Sequence, residues 1–241
     1  MHKYGLIGKT LGHSFSRQYF TQLFEEQGVD AVYSNYELED ISAVAAVLED
    51  PEVRGLNVTI PYKQAVIPFL DELSPEAAAI GAVNVIAVRD GKKTGYNTDA
   101  FGFHQSIKPF LTNLHERALI LGTGGASKAV EYVFKSIGVD VIFCSRQPEK
   151  ANEFPYEAIN EHMLRACKVV VNCTPVGTFP DVDESPVFPF GFLTADHLVI
   201  DLIYNPEQTR FLRESAANGA TTLNGLSMLK EQAAKAWQIW K

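Results

Sequence analysis

The sequence predicts an α/β protein with two domains. Apolar runs of strand length alternate with segments of helical period, a pattern typical of parallel sheets with helices on their faces. The length of 241 residues allows two modest domains. A glycine-rich turn near residue 122 opens a second, more regular block, and the division between the two blocks falls near Asp99.

The first block combines strands, helices and one hairpin. We predict strands at 3–8, 32–38 and 53–60, helices at 16–28, 41–50 and 74–81, and a hairpin at 82–99. Ser74 and Pro75 suit the N-cap and first position of a helix, and Gly81 suits its end. Asp90 and Gly91 suit the turn of the hairpin.

The segment GLNVTIPYKQ, residues 55–64, predicts a strand followed directly by a helix that begins at Pro61. That helix would carry Lys63 in its first turn, where the helix dipole repels a cation. Lys63 is therefore either a solvated surface lysine or a lysine whose neutral form takes part in proton transfer.

The second block is more regular. Its predicted strands are 118–122, 139–144, 168–173 and 197–203, and its predicted helices are 124–138, 206–219 and 227–240. Phe179–Phe192 is rich in proline, aspartate and phenylalanine and is predicted as a long surface loop.

Composition and charge narrow the possible partners. The net charge is −8 and the sequence has no run of five basic residues, which argues against a nucleic-acid partner. No stretch approaches 18 apolar residues, so we expect no membrane partner and a cytoplasmic location.

The three cysteines lack a C-x-x-C pair and are expected to be free buried thiols. The six histidines show no metal-binding spacing, so no metal is expected.

The sequence ALILGTGGASKAV, residues 118–130, predicts a dinucleotide-binding turn between a strand and a helix. Glycines allow a tight turn and let backbone N–H groups approach a pyrophosphate at the positive end of the helix. A second strand at the expected distance favours this interpretation over an ordinary loop. The expected cofactor contacts in the turn are Gly122, Gly124, Gly125, Ala126 and Ser127. Ser127 stands where the usual motif has its last glycine.

The end of the second strand favours NADP over NAD. Arg146 follows Gly125 by 146 − 125 = 21 residues, about where an NAD site carries an acidic residue. Arginine can bind a 2′-phosphate through two hydrogen bonds, whereas a carboxylate would repel it. Ser145 and Lys150 complete the predicted 2′-phosphate site. The alternative is that Arg146 and Lys150 are merely solvated.

Polar side chains stand at the ends of apolar strands in the first block. They are Ser14, Ser16, Asn57, Thr59, Lys63, Asn84, Asn97, Thr98 and Asp99. Ligands of α/β proteins bind at strand ends. Each residue alone has an ordinary structural role, such as a helix cap or a buried amide. Together their hydroxyls, amides, amine and carboxylate suit a polyhydroxylated acid.

Several motifs in one order resemble the shikimate dehydrogenase family over nearly the full chain. They are LGHSFS, GLNVTIPYK, GAVNVI, GYNTDAFGF, GTGGAS, VNCTPVG, DLIYNP and LNGLSMLKEQ. The resemblance implies reversible NADPH-dependent reduction of 3-dehydroshikimate to shikimate, in chorismate and aromatic amino acid biosynthesis. It implies a substrate domain of residues 1–99 plus 224–241, to which the C-terminal helix returns. Residues 100–223 would form a Rossmann-type NADP domain.

The resemblance also assigns roles to matching residues. The substrate would be bound by Ser14, Ser16, Thr59, Lys63, Asn84, Asp99, Tyr204 and Gln232. The two serines and the tyrosine would hold its carboxylate, and the amides, threonine and aspartate its hydroxyls. Thr174, Gly225 and Met228 would join the cofactor site, the last two at the nicotinamide. A structural role in the first motif is expected for His13.

The chain departs from the usual family motifs at several positions. Thr10 and Arg17 stand where proline is usual, and Arg17 would affect how the first helix begins. Val85 replaces a threonine, which removes one hydroxyl near the substrate. Ser145 and Gln147 flank Arg146 in place of asparagine and threonine.

Lys63 and Asp99 would be the catalytic pair. Hydride transfer at a carbon requires a proton to join or leave its oxygen, which needs an acid or base within hydrogen-bond reach. Desolvation and the start of a helix would favour neutral Lys63, while Asp99 as an N-cap would stay anionic and hold the lysine. Lys63 would relay the proton without a metal.

Three alternatives stay open. One is an NAD-preferring quinate or shikimate dehydrogenase, and another is an NADP-dependent dehydrogenase of folate one-carbon units. The third is a regulatory nucleotide-binding module without activity. Shikimate or 3-dehydroshikimate is the expected small-molecule partner, and a monomer or homodimer the expected assembly.

Overall fold

The structure is a computed structural model that describes residues 1–12 and 15–241. Its contacts divide the chain into two units, Met1–Thr98 with Gln232–Lys241 and Asp99–Glu231. The predicted domain limits were 99/100 and 223/224, so the second limit lies eight residues later by contacts than by sequence (231 − 223 = 8). Both units combine helices with a sheet, which confirms the predicted α/β class.

The first unit contains a mixed six-stranded sheet. Its strands are β1 (His2–Gly8), β2 (Ala31–Glu37), β3 (Val53–Val58), β4 (Glu72–Leu73), β5 (Val85–Arg89) and β6 (Lys92–Tyr96). The order is β2-β1-β3-β5-β6-β4, with β1 parallel to both neighbours and β5 antiparallel to both of its own. The helices are α1 (Phe15–Gln27), α2 (Val44–Leu48) and α3 (Pro75–Ile80), with short 3₁₀ helices at Ile41–Ala43 and Ile67–Phe69.

The second unit contains a six-stranded sheet in which every pair is parallel. Its strands are β7 (Arg117–Leu121), β8 (Asp140–Cys144), β9 (Glu153–Phe154), β10 (Val169–Asn172), β11 (Leu198–Asp201) and β12 (Thr221–Leu223). The order β9-β8-β7-β10-β11-β12 is that of a doubly wound dinucleotide-binding fold. The helices are α4 (Asp99–Ile107), α5 (Gly125–Ser136), α6 (Glu161–Ala166) and α7 (Arg210–Ala217), with 3₁₀ turns at Lys108–Phe110, Tyr156–Ala158 and Phe190–Phe192. The last helix, α8 (Leu226–Trp240), begins in this unit and continues into the first.

The C-terminal part of α8 packs on the first unit, as predicted. The Trp240 indole N–H donates to the carbonyl of Ile86 at 2.9 Å, and the Trp237 indole donates to Gln27 at 3.1 Å. A Cβ on Gly55 would lie 2.2 Å from the Trp240 indole nitrogen. Because only glycine leaves room for that ring, β3 and the end of the chain fit together closely.

The predicted helix at Pro61 is wrong. Residues 60–66 form a series of turns that leads into the 3₁₀ helix Ile67–Phe69. Pro68 has no N–H to bond the carbonyl of Gln64, which instead accepts from the N–H of Ile67 at 3.2 Å. An α-helix therefore cannot continue through this segment, and Lys63 lies in turns rather than in the first turn of an α-helix.

Other local predictions agree with the structure. The Ser74 hydroxyl accepts from the Ala77 N–H at 3.1 Å, and Gly81 ends α3 at φ 69°. Asp90 and Gly91 both have positive φ in the hairpin turn. The predicted surface loop is partly wrong, because Phe188 in it is buried and packs edge-on against a core phenylalanine of α7. In the described ranges, no helix is long and apolar enough to cross a bilayer.

Candidate functional site

Asn84 is the centre of a buried hydrogen-bond network in the first unit. Its Oδ1 accepts from the backbone N–H of Thr98 at 2.7 Å, and its Nδ2 donates to the Thr98 hydroxyl at 3.0 Å. The same amide donates to Gln232 Oε1 at 3.3 Å, although the two residues are 148 positions apart. Asn84 is 2% exposed. Two residues predicted to bind substrate hydroxyls are thus brought together.

Ser16 joins the same network through one residue of β2 and one of β3, the two strands on either side of β1. The Tyr33 hydroxyl donates to Asn57 Oδ1 at 2.7 Å, and Asn57 Nδ2 lies 3.5 Å from the carbonyl of Asn84. Ser16 hydrogen-bonds the Tyr33 hydroxyl. Burial raises the pKa of Tyr33 well above its usual value, so the phenol stays protonated and donates. Ser14, the other predicted carboxylate ligand, lies outside the described residues, as does His13.

Lys63 is half-buried in the turns after β3. Its carbonyl accepts from the N–H of Val83 at 2.7 Å, which fixes its backbone next to that of Asn84. Thr59, at the start of the same turns, is also half-buried, and its N–H donates to Ile7 at 2.8 Å. Backbone hydrogen bonds to β1 and to the segment before β5 therefore hold both predicted substrate ligands.

Asp99 is the first residue of α4 and is 5% exposed. It was predicted as the cap of a helix starting one residue later, a difference within the scatter of helix assignment. Its preceding neighbour, Thr98, is the residue bonded to Asn84. By contacts Asp99 belongs to the second unit and Lys63 to the first. The proposed pairing of these two residues stays a prediction.

The glycine turn after β7 lies where the doubly wound sheet reverses direction, between β7 and β10. Gly122 has φ 95°, and a Cβ there would lie 2.9 Å from the Thr174 methyl group. Around Gly124, by contrast, a Cβ would meet no atom within 4 Å. This open space at the start of α5 fits a pyrophosphate on helix N–H groups.

Ser127 and Ala126 lie inside the first turn of α5. The Ser127 hydroxyl donates to the carbonyl of Gly124 at 2.6 Å, and the residue is 2% exposed. The Ser127 side chain, at the third glycine position of the usual motif, thus hydrogen-bonds within the turn. Any contact between Ser127 and the cofactor would therefore come from its backbone.

A cavity of about 580 Å³ lies beside the ends of β7 and β8. It is lined by Thr123, Ser145, Arg146, Gln147, Glu149, Lys150 and Glu153. The predicted 2′-phosphate residues therefore share one cavity. The Ser145 hydroxyl is 3.2 Å from both the N–H and the carbonyl of Gln147, so it hydrogen-bonds within its own turn, whereas Arg146 is exposed.

The other predicted contacts of the second unit lie on three segments. Gly225 precedes α8, and a Cβ there would lie 2.0 Å from the carbonyl oxygen of Leu202, so only glycine fits. Met228 is 8% exposed in the first turn of α8. Tyr204 is half-buried after β11, and burial raises its pKa.

No group of three His, Cys, Asp or Glu side chains in residues 1–12 and 15–241 is arranged to hold a metal ion.

Comparisons with known proteins agree with these features. The family model for the substrate-binding domain of shikimate dehydrogenase matches residues 6–86. A curated NADP⁺-dependent shikimate dehydrogenase of Syntrophomonas wolfei is 38% identical, over 98% of this chain and 88% of its own length. The chain belongs to the shikimate dehydrogenase family.

Solved structures of the shikimate dehydrogenase family share the whole fold. Shikimate dehydrogenase 1 of Peptoclostridium difficile has a TM-score of 0.87 and 39% identity, covering 100% of this chain and 91% of its own. The Thermus thermophilus enzyme, solved with NADP(H) and shikimate, has a TM-score of 0.88 and 33% identity, covering 100% and 94%. The predicted family resemblance is confirmed.

Sequence reasoning missed several polar residues that support the shikimate dehydrogenase site. Asn57 and Thr98 were noted at strand ends but given no role, and Tyr33 gave no signal in a strand of ordinary composition.

In the second unit, Asn172 Oδ1 accepts from both the N–H and the hydroxyl of Thr174. Its Nδ2 donates to Asp201 at 3.0 Å. Asp201 therefore orients Thr174 through Asn172.

Asp201 is expected to make the stability of the protein depend on pH. Burial raises its pKa to about 6, against which the hydrogen bonds from Thr209, Ile203 and Asn172 act only in part. The group favours the folded state fully below the unfolded pKa of about 4, and this contribution is lost as pH rises through about 6. From pH 4 to 7, wild type should lose up to about 3 kcal/mol more than Asp201→Asn in urea unfolding.

The comparison with Asp201→Asn removes the contribution of every other carboxylate, because the two proteins share them. If the two proteins gave parallel profiles of unfolding free energy against pH, the pKa of Asp201 would not be raised in the folded state.

Proposed function

We propose that this protein reduces 3-dehydroshikimate to shikimate with NADPH, reversibly, in the pathway to chorismate and the aromatic amino acids. The observation that carries the proposal is the network around Asn84, which joins Ser16 and Gln232, three residues predicted to bind the substrate. Family membership supports it. The free cysteines are compatible with the cytoplasmic location that we also propose.

Substrate recognition in this proposal follows from hydrogen-bonding capacity. Shikimate carries one carboxylate and three hydroxyls. The Ser14 and Ser16 hydroxyls and Tyr204 would bind the carboxylate. Thr59, Asn84, Asp99 and Gln232 would bind the ring oxygens. The amides of Asn84, which is buried, and Gln232, which is half-buried, are already oriented by hydrogen bonds, so little conformational entropy is lost when they bind the ligand.

The cofactor would bind the glycine turn and the neighbouring cavity. Gly122, Gly124 and Gly125 would accommodate the pyrophosphate, and Arg146 the 2′-phosphate. Thr174 would join the cofactor site, and Gly225 and Met228 would lie near the nicotinamide. Bound NADPH supplies a hydride to the carbonyl carbon. The open space at Gly124 and the basic side chain of Arg146 support this assignment.

Proton transfer is assigned to Lys63. In the reduction, its ammonium group would give a proton to the carbonyl oxygen as the hydride joins the carbon, and in the oxidation its amine would take that proton from the hydroxyl. Asp99 would accept a hydrogen bond from the lysine and help restore its charge. This role does not depend on a helix dipole, which the turns around Lys63 lack.

One assay separates this proposal from the alternatives. The oxidation of shikimate and of quinate is followed with NADP and with NAD by absorbance of the reduced nicotinamide. We expect the highest kcat/KM for shikimate with NADP. Faster oxidation of quinate with NAD would favour the quinate dehydrogenase alternative. No turnover with any of the four pairs, in a protein that binds NADP, would favour a regulatory module or the dehydrogenase of folate one-carbon units.

A further inference from the structure

Glu153 places a buried carboxylate in the cavity predicted to bind the 2′-phosphate. It lies on β9, the strand next to β8, and its side chain is 5% exposed. One carboxylate oxygen accepts from the N–H of Glu149 at 2.9 Å, and the other is 3.4 Å from the ammonium of Lys150. Of the influences that lower the pKa of Glu153, this N–H is the largest, so the group is an anion at neutral pH.

The charges around the cavity therefore balance. Its lining contains two cations, Arg146 and Lys150, and two carboxylates, Glu149 and Glu153. Both glutamates lie near Lys150, but they differ in exposure. Glu149 is exposed, whereas the side chain of Glu153 is covered by its neighbours and held by the N–H of Glu149, so its carboxylate keeps a fixed position beside Lys150.

A carboxylate near the adenosine ribose distinguishes the two nicotinamide cofactors. It repels the 2′-phosphate of NADP and can accept a hydrogen bond from the 2′-hydroxyl of NAD. NAD sites usually carry this acid at the end of the second strand, where this chain has Ser145 and Arg146. Here the acid comes from the next strand, β9, which lies beside β8 in the sheet.

We propose that Glu153 is a specificity-determining residue that weakens binding of the 2′-phosphate and so moderates the preference for NADP over NAD. It acts by holding Lys150 in an ion pair and by repelling the phosphate. The inference rests on the proposed cofactor site, in which Arg146 is then the main attraction for the phosphate.

The test uses Glu153→Gln, which keeps an oxygen for the N–H of Glu149 and removes the charge. Binding of 2′,5′-ADP and of 5′-ADP is measured by titration calorimetry at pH 7.5, where the 2′-phosphate is mostly dianionic. We expect about three- to tenfold tighter binding of 2′,5′-ADP and unchanged binding of 5′-ADP. Glu149→Gln, which removes an exposed charge from the same cavity, is the matched control and should change binding less.

Several results would overturn the inference. Unchanged or weaker binding of 2′,5′-ADP would mean that Glu153 is neutral toward the phosphate or helps to position Lys150. Equal changes for both nucleotides would mean that Glu153 only shapes the turn. Glu153→Ala is a second neutral variant that should show the same gain. If wild type binds neither nucleotide, the cofactor site itself fails, which is distinguishable from a failure of Glu153 alone.

Discussion

Replacing Lys63 with alanine is expected to lower kcat by a factor of about 10² to 10⁴, the usual contribution of a general acid or base. Without the amine, no group assigned to the site transfers the proton to or from the reacting oxygen. Shikimate should still bind, because the network of Asn84, Thr98 and Gln232 is intact. Steady-state oxidation of shikimate with NADP gives kcat, and equilibrium titration gives the dissociation constant of shikimate.

The control for this variant is Lys93→Ala. Lys93 is another partly exposed lysine of the first unit, on β6, where it lies 4.0 Å from the carboxylate of Asp71. Its removal should leave kcat within about twofold, since exposed ion pairs contribute little. Near-normal turnover by Lys63→Ala would remove the lysine from the mechanism. Loss of both turnover and binding would indicate that it mainly binds substrate.

Local signals predicted the elements around Lys63 unequally. The ends of α3 and the hairpin turn were correct because each depends on two or three adjacent residues, such as Ser74 with Pro75. The helix at Pro61 was wrong because turns form there instead, and Pro68, which cannot extend a helix, was given less weight than Pro61. The site argument for Lys63 survives this error, since its position beside Val83 and Asn84 comes from a backbone hydrogen bond.

The buried network could not have been assembled from local pattern. Tyr33 and Asn57 meet because β1 lies between β2 and β3, with Tyr4 opposite both Tyr33 and Gly55. Asn57 is two residues beyond Gly55, so it lies on the same face of the sheet. Strand order and register are long-range properties. Gln232 was placed at the site only through family resemblance, because the C-terminal helix has to return to the first unit to reach Asn84.

At the cofactor site, too, the sequence predicted some of the contributing residues and missed another. Its glycine turn was recognised because the strand, turn and helix are consecutive. The basic residues after β8 were also recognised, and the structure gathers them around one cavity. Glu153 was missed although it lies only three residues after Lys150, because no sequence signal shows that this turn brings its carboxylate to Lys150. Its position beside the end of β8 depends on β9 pairing with β8. The sequence therefore identified the basic residues that would attract a 2′-phosphate, but the carboxylate of Glu153 that would repel it was missed.

Because Glu153 is paired with Lys150, Arg146 should carry most of the discrimination between the two cofactors. Arg146→Ala is expected to raise the KM for NADP by about 10- to 100-fold, the cost of a charge-assisted hydrogen bond of about 1.5–3 kcal/mol. The KM for NAD should change by less than about threefold, because NAD has no 2′-phosphate to lose the contact. Initial rates with saturating shikimate and varied cofactor give both constants.

The matched control is Arg165→Ala. Arg165 is another exposed arginine of the same unit, on α6, paired with Glu161 at 2.6 Å. If long-range attraction of the anionic cofactor were responsible, the two variants would lose NADP affinity alike, and both losses would shrink in high salt. A direct contact predicts a loss confined to Arg146→Ala. Equal increases in the KM for NAD and NADP would instead assign Arg146 to the adenosine or the turn, and leave the 2′-phosphate without a principal ligand.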